Sequence, residues 1–275
     1  MKKYDKFVSE NFDLSIIIPT QNDLFYLKKC INAIYNQTVL PTELIIIDSS
    51  TNEEIKNYIL NIKTEKIKIK FNKINKSYAG RSINYGFNFV KCNFIGLLDT
   101  KTFPNKNWIE SGKKIFKDKK IDIKFGSTSF KANSLFQKFV QAISYGSISH
   151  ETVPGSIFKT DIIKQKKFLF NENVRSGYDI EWRQNLKKNL KFFTPSKGSI
   201  VYDSLSQNIF DLYKRYIIYS FHSARIEILT STKSLYFSIF LIVISFLIPQ
   251  WNLFISGWQN NPLYIPYISR IYLIA

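Results

Sequence analysis

The chain has 275 residues, 45% of them hydrophobic and 16% aromatic, and a formal net charge of +18. That apolar content excludes a disordered tail protein, and two cysteines, Cys30 and Cys92, exclude a disulfide-stapled scaffold or a four-cysteine zinc site. The positive balance points to an anionic partner: nucleic acid, acidic lipid or a phosphorylated small molecule.

Met1 to Asp13 carries lysines but no apolar core of a signal peptide, so the chain is expected to begin in the cytosol. Leu14 to Ile18 (LSIII) is a β-branched apolar run closed by Pro19, which reads as a buried parallel strand. Asp23 to Gln37 follows with Leu24, Leu27, Cys30, Ile31 and Ile34 at helical spacing. A second buried strand, Glu43 to Ile47, ends in Asp48-Ser-Ser-Thr-Asn52, a set of capping and turn residues. Then come a helix over Glu53 to Ile62, a strand over Lys66 to Phe71, and a helix around Arg81 to Val90. Phe94 to Leu98 is another buried strand that runs into Asp99. Strands alternating with helices predict an open α/β sheet that binds its ligands at the carboxyl ends of the strands. Thr20 and Asn22, Asp48, and Asp99 occupy three such ends. The pattern weakens from Lys113 to Ser149, and Asp179 to Lys188 reads as helix.

Asn208 to Leu229 has the pattern of an amphipathic helix rich in Tyr, Ile and Arg, suited to a membrane surface. No charge occurs between Lys233 and Arg270, and Leu235 to Ile248 is almost continuously apolar. A span needs about 20 such residues, which Leu235 to Ile255 supplies if Pro249 is a kink. Trp251 and Trp258 suit an interfacial belt, and Lys214, Arg215, Arg225 and Lys233 place the preceding domain on the cytoplasmic face of the membrane. A second apolar stretch begins near Leu263 and is read as a span cut short. The expected organisation is a catalytic domain over residues 1–205, a membrane-surface helix over 206–233 and membrane-spanning sequence over 234–275.

Four segments in order resemble the family 2 glycosyltransferases, whose fold is GT-A, an α/β fold with a Rossmann-like open sheet. Ser15-Ile-Ile-Ile-Pro-Thr-Gln-Asn22 resembles the family's opening strand, and Glu43 to Asn52 its second strand with the following turn. Asn84-Tyr-Gly86, leading to Phe94-Ile-Gly-Leu-Leu-Asp99 and on to Pro104 and Trp108, resembles its Asn-x-Gly helix and Asp-x-Asp strand end. Ser176-Gly-Tyr-Asp-Ile-Glu-Trp-Arg183 resembles its later acidic motif. The resemblance covers Leu14 to Leu186. It implies transfer of a sugar from a nucleoside diphosphate to an acceptor hydroxyl with inversion at the anomeric carbon.

On that resemblance, Pro19, Thr20, Asn22, Asp48, Arg81, Asn84, Asp99 and Lys101 face the donor, with Asp48 accepting from the N–H of a uracil-like base. For Asp48 a turn role, and for Arg81 a solvated surface role, stand beside these. The family's paired acids support Mg²⁺ or Mn²⁺ on the diphosphate, since hard cations want oxygen ligands. Here the motif reads Asp99-Thr100-Lys101. Either Lys101 itself offsets diphosphate charge, or it turns outward and Asp99 holds the metal with other oxygens. Direct displacement needs a carboxylate to take the acceptor proton. Asp179 matches the second position of the family's Glu-Asp pair, with Tyr178 at the first and Glu181 as the competing base. Gly155, Trp182 and Arg183 are expected on the acceptor side, with core packing the competing role for Trp182. His150 and His222 are too isolated to be metal ligands.

The resulting expectation is an enzyme that takes a nucleotide-sugar and a lipid-linked or surface-glycan acceptor at a membrane. The alternative is a catalytically degenerate relative that binds nucleotide without turnover, to which Lys101 and Tyr178 lend support. The lysines are scattered and do not form a stripe, which argues against nucleic acid as the partner.

Overall fold

The computed structural model describes residues 12–62, 66–163, 165, 168–226, 237, 239 and 240. The apolar runs form the middle of a sheet. β1 (Leu14–Thr20) lies between β2 (Glu43–Asp48) and β4 (Phe94–Leu97), and β3 (Lys68–Lys73) adds to β2, all parallel. Side chains alternate across the sheet. Ile16, Ile18, Leu44 and Ile46 pack beneath α1 (Leu24–Tyr35), α2 (Glu54–Leu60) and α4 (Trp108–Asp118). Ile17, Ile45 and Ile47 pack on the other face against α3 (Ala79–Phe87) and α6 (Tyr178–Asn189). A strand buried on both faces needs apolar residues at every position, which is why β1 and β2 read as continuous runs.

Beyond β4 the sheet changes direction. β7 (His150–Lys159) runs antiparallel to β4, and β6 (Ile123–Phe130) antiparallel to β7. β9 (Ile200–Tyr202) and β8 (Phe192–Phe193) pair with β6, and β5 (Thr102–Pro104) pairs with β9. The order is β3-β2-β1-β4-β7-β6-β9-β5. α5 (Leu135–Ser144) and α7 (Ile209–Ser223) pack together through Val140, Leu205 and Leu212. One compact unit covers residues 1–222 and a second covers 223–275.

The elements expected in the first hundred residues are present with ends shifted by a few positions, as helix ends commonly are. α7 lies within the amphipathic helix expected from Asn208 to Leu229. Leu235 to Ile255 and the stretch from Leu263 lie outside the described residues, apart from Phe237, Ile239 and Phe240. Among the described residues no helix is long and apolar enough to cross a membrane. Cys30 and Cys92 are buried and unbridged, and burial pushes both thiols up from their usual range, so neither is a poised nucleophile. Several buried residues are polar or charged, a lysine among them. Lys124 on β6, flanked by Ile157 and Phe193 on the neighbouring strands, is fully buried.

Candidate active site

Thr20 and Asp48 are register partners at the carboxyl ends of β1 and β2. Both are buried. Asp48 Oδ1 accepts from the Ser50 backbone N–H at 2.9 Å and from the Ser50 hydroxyl. Thr20 Oγ1 and Asp48 Oδ2 have no hydrogen-bond partner among the described residues, and Lys73 Nζ stands 3.9 Å from the latter. Unpaired buried oxygens of this kind are rare and need an explanation. Asn22 closes this end of the sheet. Its φ of 51° bends the chain after β1. Its N–H donates to Ser50 Oγ at 2.6 Å, and its Oδ1 accepts from the Thr51 N–H at 3.1 Å. Pro19, half-exposed, precedes Thr20 on β1.

A cavity of about 1110 Å³ opens beside this edge, lined by Ser49, Ser50, Thr51, Lys73, Lys76 and Arg81 among others. Arg81 is exposed on α3. Asn84 also reaches the lining, but its amide serves the scaffold. Nδ2 donates to Phe170 O at 2.9 Å and to Glu172 Oε1 at 2.9 Å, while Oδ1 accepts from Phe170 N–H at 2.9 Å. The Asn84 amide clamps α3 to the segment before α6. Gly86 completes the Asn-x-Gly motif sterically: a Cβ there would stand 2.8 Å from Ile17 Cγ2 on β1. Asn84→Ala strands the Phe170 backbone groups, and is expected to cost about 1–3 kcal/mol in urea denaturation.

Asp99 follows β4 on a tightly held loop. Its N–H donates to Thr102 Oγ1 at 2.9 Å, and the Thr102 hydroxyl donates to Asp99 O at 2.7 Å. Burial, with Asp23 adding to it, pushes the Asp99 carboxyl above its ordinary range against the opposing pull of Lys101 and Thr100. Lys101 is turned toward Asp23 and Tyr26.

Asp179 lies in the first turn of α6. The preceding Tyr178 phenol is held well above its usual range by burial and by the charges of Asp179 and Asp99. The same phenol feels both carboxylates. Asp179 is partly exposed with Arg183 Nη2 3.9 Å away. Glu181, two residues on, accepts from Asn171 Nδ2 at 3.1 Å. Burial holds the Tyr202 phenol well above its usual range, with Asp99 and Tyr219 adding to that and Arg215 opposing it. Neither tyrosine stood out in the sequence, where tyrosines are too common to carry a signal.

Three expected acceptor-side residues serve other ends. Trp182 is buried, donates Nε1–H to Phe168 O at 2.8 Å and stacks on Phe170 at 4.5 Å, because its side of α6 faces the sheet. Gly155 is buried within β7 at φ 86°, where a Cβ would press on Ile200, and its carbonyl accepts from Trp108 Nε1–H at 2.9 Å. Arg183 is tied to Glu151 at 3.0 Å, with Asp179 as its more distant partner. His150 Nε2 is 2.6 Å from Tyr145 O and His222 is buried, so neither is presented to a ligand.

The model of glycosyl transferase family 2 matches residues 15–176, more than half of the chain and the part that carries Thr20, Asp48 and Asp99. The chain belongs to that family. An uncharacterised glycosyltransferase of Rickettsia bellii is 27% identical to this family 2 chain over 175 residues, covering 60% of the chain and 25% of the relative. The glycosyltransferase AglE of Haloferax volcanii is 23% identical over 182 residues, covering 62% and 59%. The chain thus spans about a quarter and about three fifths of these relatives. The crystal structure of residues 1–349 of S. aureus TarS with UDP-GlcNAc has a similar fold, with TM-score 0.58 and 17% identity, covering 71% of this chain and 60% of that one. A second crystal structure of S. aureus TarS gives a TM-score of 0.57 at 17% identity, covering 74% of this chain and 38% of that one. The mixed sheet of the family 2 chain is therefore of the GT-A kind.

Proposed function

We propose that this chain moves a sugar, with inversion, from a nucleoside diphosphate to an acceptor hydroxyl at a membrane. The observation that carries the reading is a pair of buried oxygens at matched strand ends, Thr20 Oγ1 and Asp48 Oδ2, which take no hydrogen bond among the described residues, with Lys73 as a 3.9 Å ion-pair partner of the latter. An acceptor left without a donor costs stability unless a ligand supplies one. The imide N–H of a uracil-like base does so for Asp48, in keeping with the UDP-GlcNAc held by the similarly folded TarS. The cations Lys76 and Arg81 on the neighbouring cavity suit the diphosphate. At the other end, Asp179 takes the proton of the acceptor hydroxyl as its oxygen bonds to the anomeric carbon. The bond from that carbon to the diphosphate oxygen breaks, and the nucleoside diphosphate leaves with the electron pair. Attack opposite the leaving group inverts the centre. Glu181 suits the base role less well, being held by Asn171.

The membrane context rests on two helices and on sequence. α5 exposes Leu135, Phe139 and Ile143, and α7 exposes Ile209, Tyr213 and Ile217, with Ser144 Oγ and Tyr216 Oη 2.7 Å apart between them. Paired apolar stripes on a strongly basic chain suit the headgroup layer of an anionic bilayer. The uncharged stretch that follows in sequence suits a lipid-linked or glycan acceptor delivered in that plane.

Calorimetric titration with UDP, GDP and dTDP, and the sugars they carry, tests the donor reading. Wild type is expected to bind a uridine nucleotide. Asp48→Asn, which puts an amide N–H where an acceptor is needed, is expected to bind it about 10–100-fold more weakly. Equal affinity of the two proteins, or no nucleotide bound by either, contradicts the reading. Tight binding with neither transfer nor hydrolysis supports the degenerate alternative, which the non-acidic Lys101 and Tyr178 favour.

A further inference from the structure

A divalent cation wants several oxygen ligands, and the residues after β4 do not fit that need. Lys101 stands two positions from Asp99, where the family has a second acid. Among the described residues no group of three or more His, Cys, Asp or Glu side chains is arranged to hold a metal ion. Lys101 has not turned away to solvent. Its Nζ lies 3.5 Å from Asp23 Oδ2 and 5.4 Å from the centre of the Tyr26 ring.

Asp23 is the residue the sequence reading missed. It immediately precedes α1, where an Asp ordinarily caps the helix with its side chain, yet it makes no such bond. Its carboxylate instead takes the Thr100 hydroxyl at 3.0 Å and the Lys101 ammonium. The same hydroxyl is 3.2 Å from Asp99 Oδ1, so Thr100 joins the two acids. The backbone is fixed as well, because Asp203 N–H donates to Lys101 O at 3.3 Å. Asp23 also follows Asn22, which is bonded to Thr51 on the rim of the cationic cavity.

We infer that donor binding in this chain draws its positive charge at Asp99 from Lys101 and not from a divalent cation, with Asp23 as the residue that positions the ammonium. An ammonium carries three N–H donors on a compact charge and is an ordinary phosphate binder. The inference rests on the nucleotide-sugar reading above.

Calorimetric titration of UDP and UDP-GlcNAc in EDTA and in Mn²⁺ tests it with wild type, Lys101→Ala, Lys101→Asp and Asp23→Asn. Wild type is expected to bind equally in both buffers. Lys101→Ala is expected to lose about tenfold in both, and Lys101→Asp to lose about tenfold in EDTA and to regain it in Mn²⁺. Asp23→Asn is expected to weaken binding severalfold in both buffers. A merely structural role for Asp23 would lower the melting temperature and leave the affinity of the folded protein unchanged. Wild-type binding that is strengthened tenfold or more by Mn²⁺, or Lys101→Ala binding like wild type, overturns the inference and leaves the donor reading intact. No binding by wild type in either buffer removes the donor reading, and the inference falls with it.

Discussion

Asp179→Asn is expected to lower the rate of sugar transfer by about 10²–10⁴-fold, the usual loss when a positioned general base is removed. The substitution keeps the size of the side chain and takes away only its ability to accept a proton. Asp179 is partly exposed and its ion pair with Arg183 is long, at 3.9 Å, so little stability depends on it. Donor affinity should therefore be unchanged while single-turnover transfer collapses. Glu181→Gln serves as the comparison. With Glu181 held by Asn171 at 3.1 Å, that variant is expected to retain most activity. If Glu181→Gln is the dead enzyme and Asp179→Asn the active one, the base has been assigned two residues too early.

Lys124→Met is expected to make the protein more stable, by roughly 3 kcal/mol. Lys124 Nζ is buried and has no hydrogen-bond partner among the described residues, and burial pulls its pKa down to about 8. Its folded pKa lies below its unfolded one, near 10.4, so the protonated form pays a penalty that is fully present below about pH 8. Between about pH 8 and 10 the unfolded chain keeps a proton that the folded chain has lost, and stability rises with pH. Urea midpoints measured over that range should therefore climb in the wild type relative to Lys124→Met, which has no such group. Methionine keeps the length of the side chain and fills the same slot between Ile157 and Phe193. Parallel pH profiles, or a less stable variant, would show that the amine is satisfied in solution.

The first half of the fold was legible because its strands are buried on both faces and its helices on one. Ile16, Ile17 and Ile18 or Leu44 to Ile47 allow no other reading, and α1 shows its buried stripe of Leu27, Cys30, Ile31 and Ile34. In the second half α6 and α7 were legible but the strands were not. β6 carries a buried lysine, a glycine and two serines, and β7 contains Pro154 and Gly155 with a register shift opposite Gly126. These strands gain their place from neighbours far along the chain, which no local pattern records.

The site was legible to a similar degree. Strand ends singled out Thr20, Asp48 and Asp99 as candidates, because open α/β sheets bind ligands there. Motif membership could not separate residues that face a ligand from those that hold the frame. Asn84, Gly155 and Trp182 turned out to hold the frame, through Phe170, Trp108 and Phe168 respectively. Asp23 was hidden for the opposite reason, since an Asp before a helix already has an ordinary explanation as a cap.

A crystal structure of the protein with a bound uridine diphospho-sugar addresses the central claim most directly. The base N–H should meet Asp48 Oδ2, and the anomeric carbon should lie between Asp99 and Asp179 with open space on the Asp179 side. A nucleotide seated away from Asp48, or a sugar whose anomeric carbon Asp179 cannot reach through an acceptor hydroxyl, would contradict it.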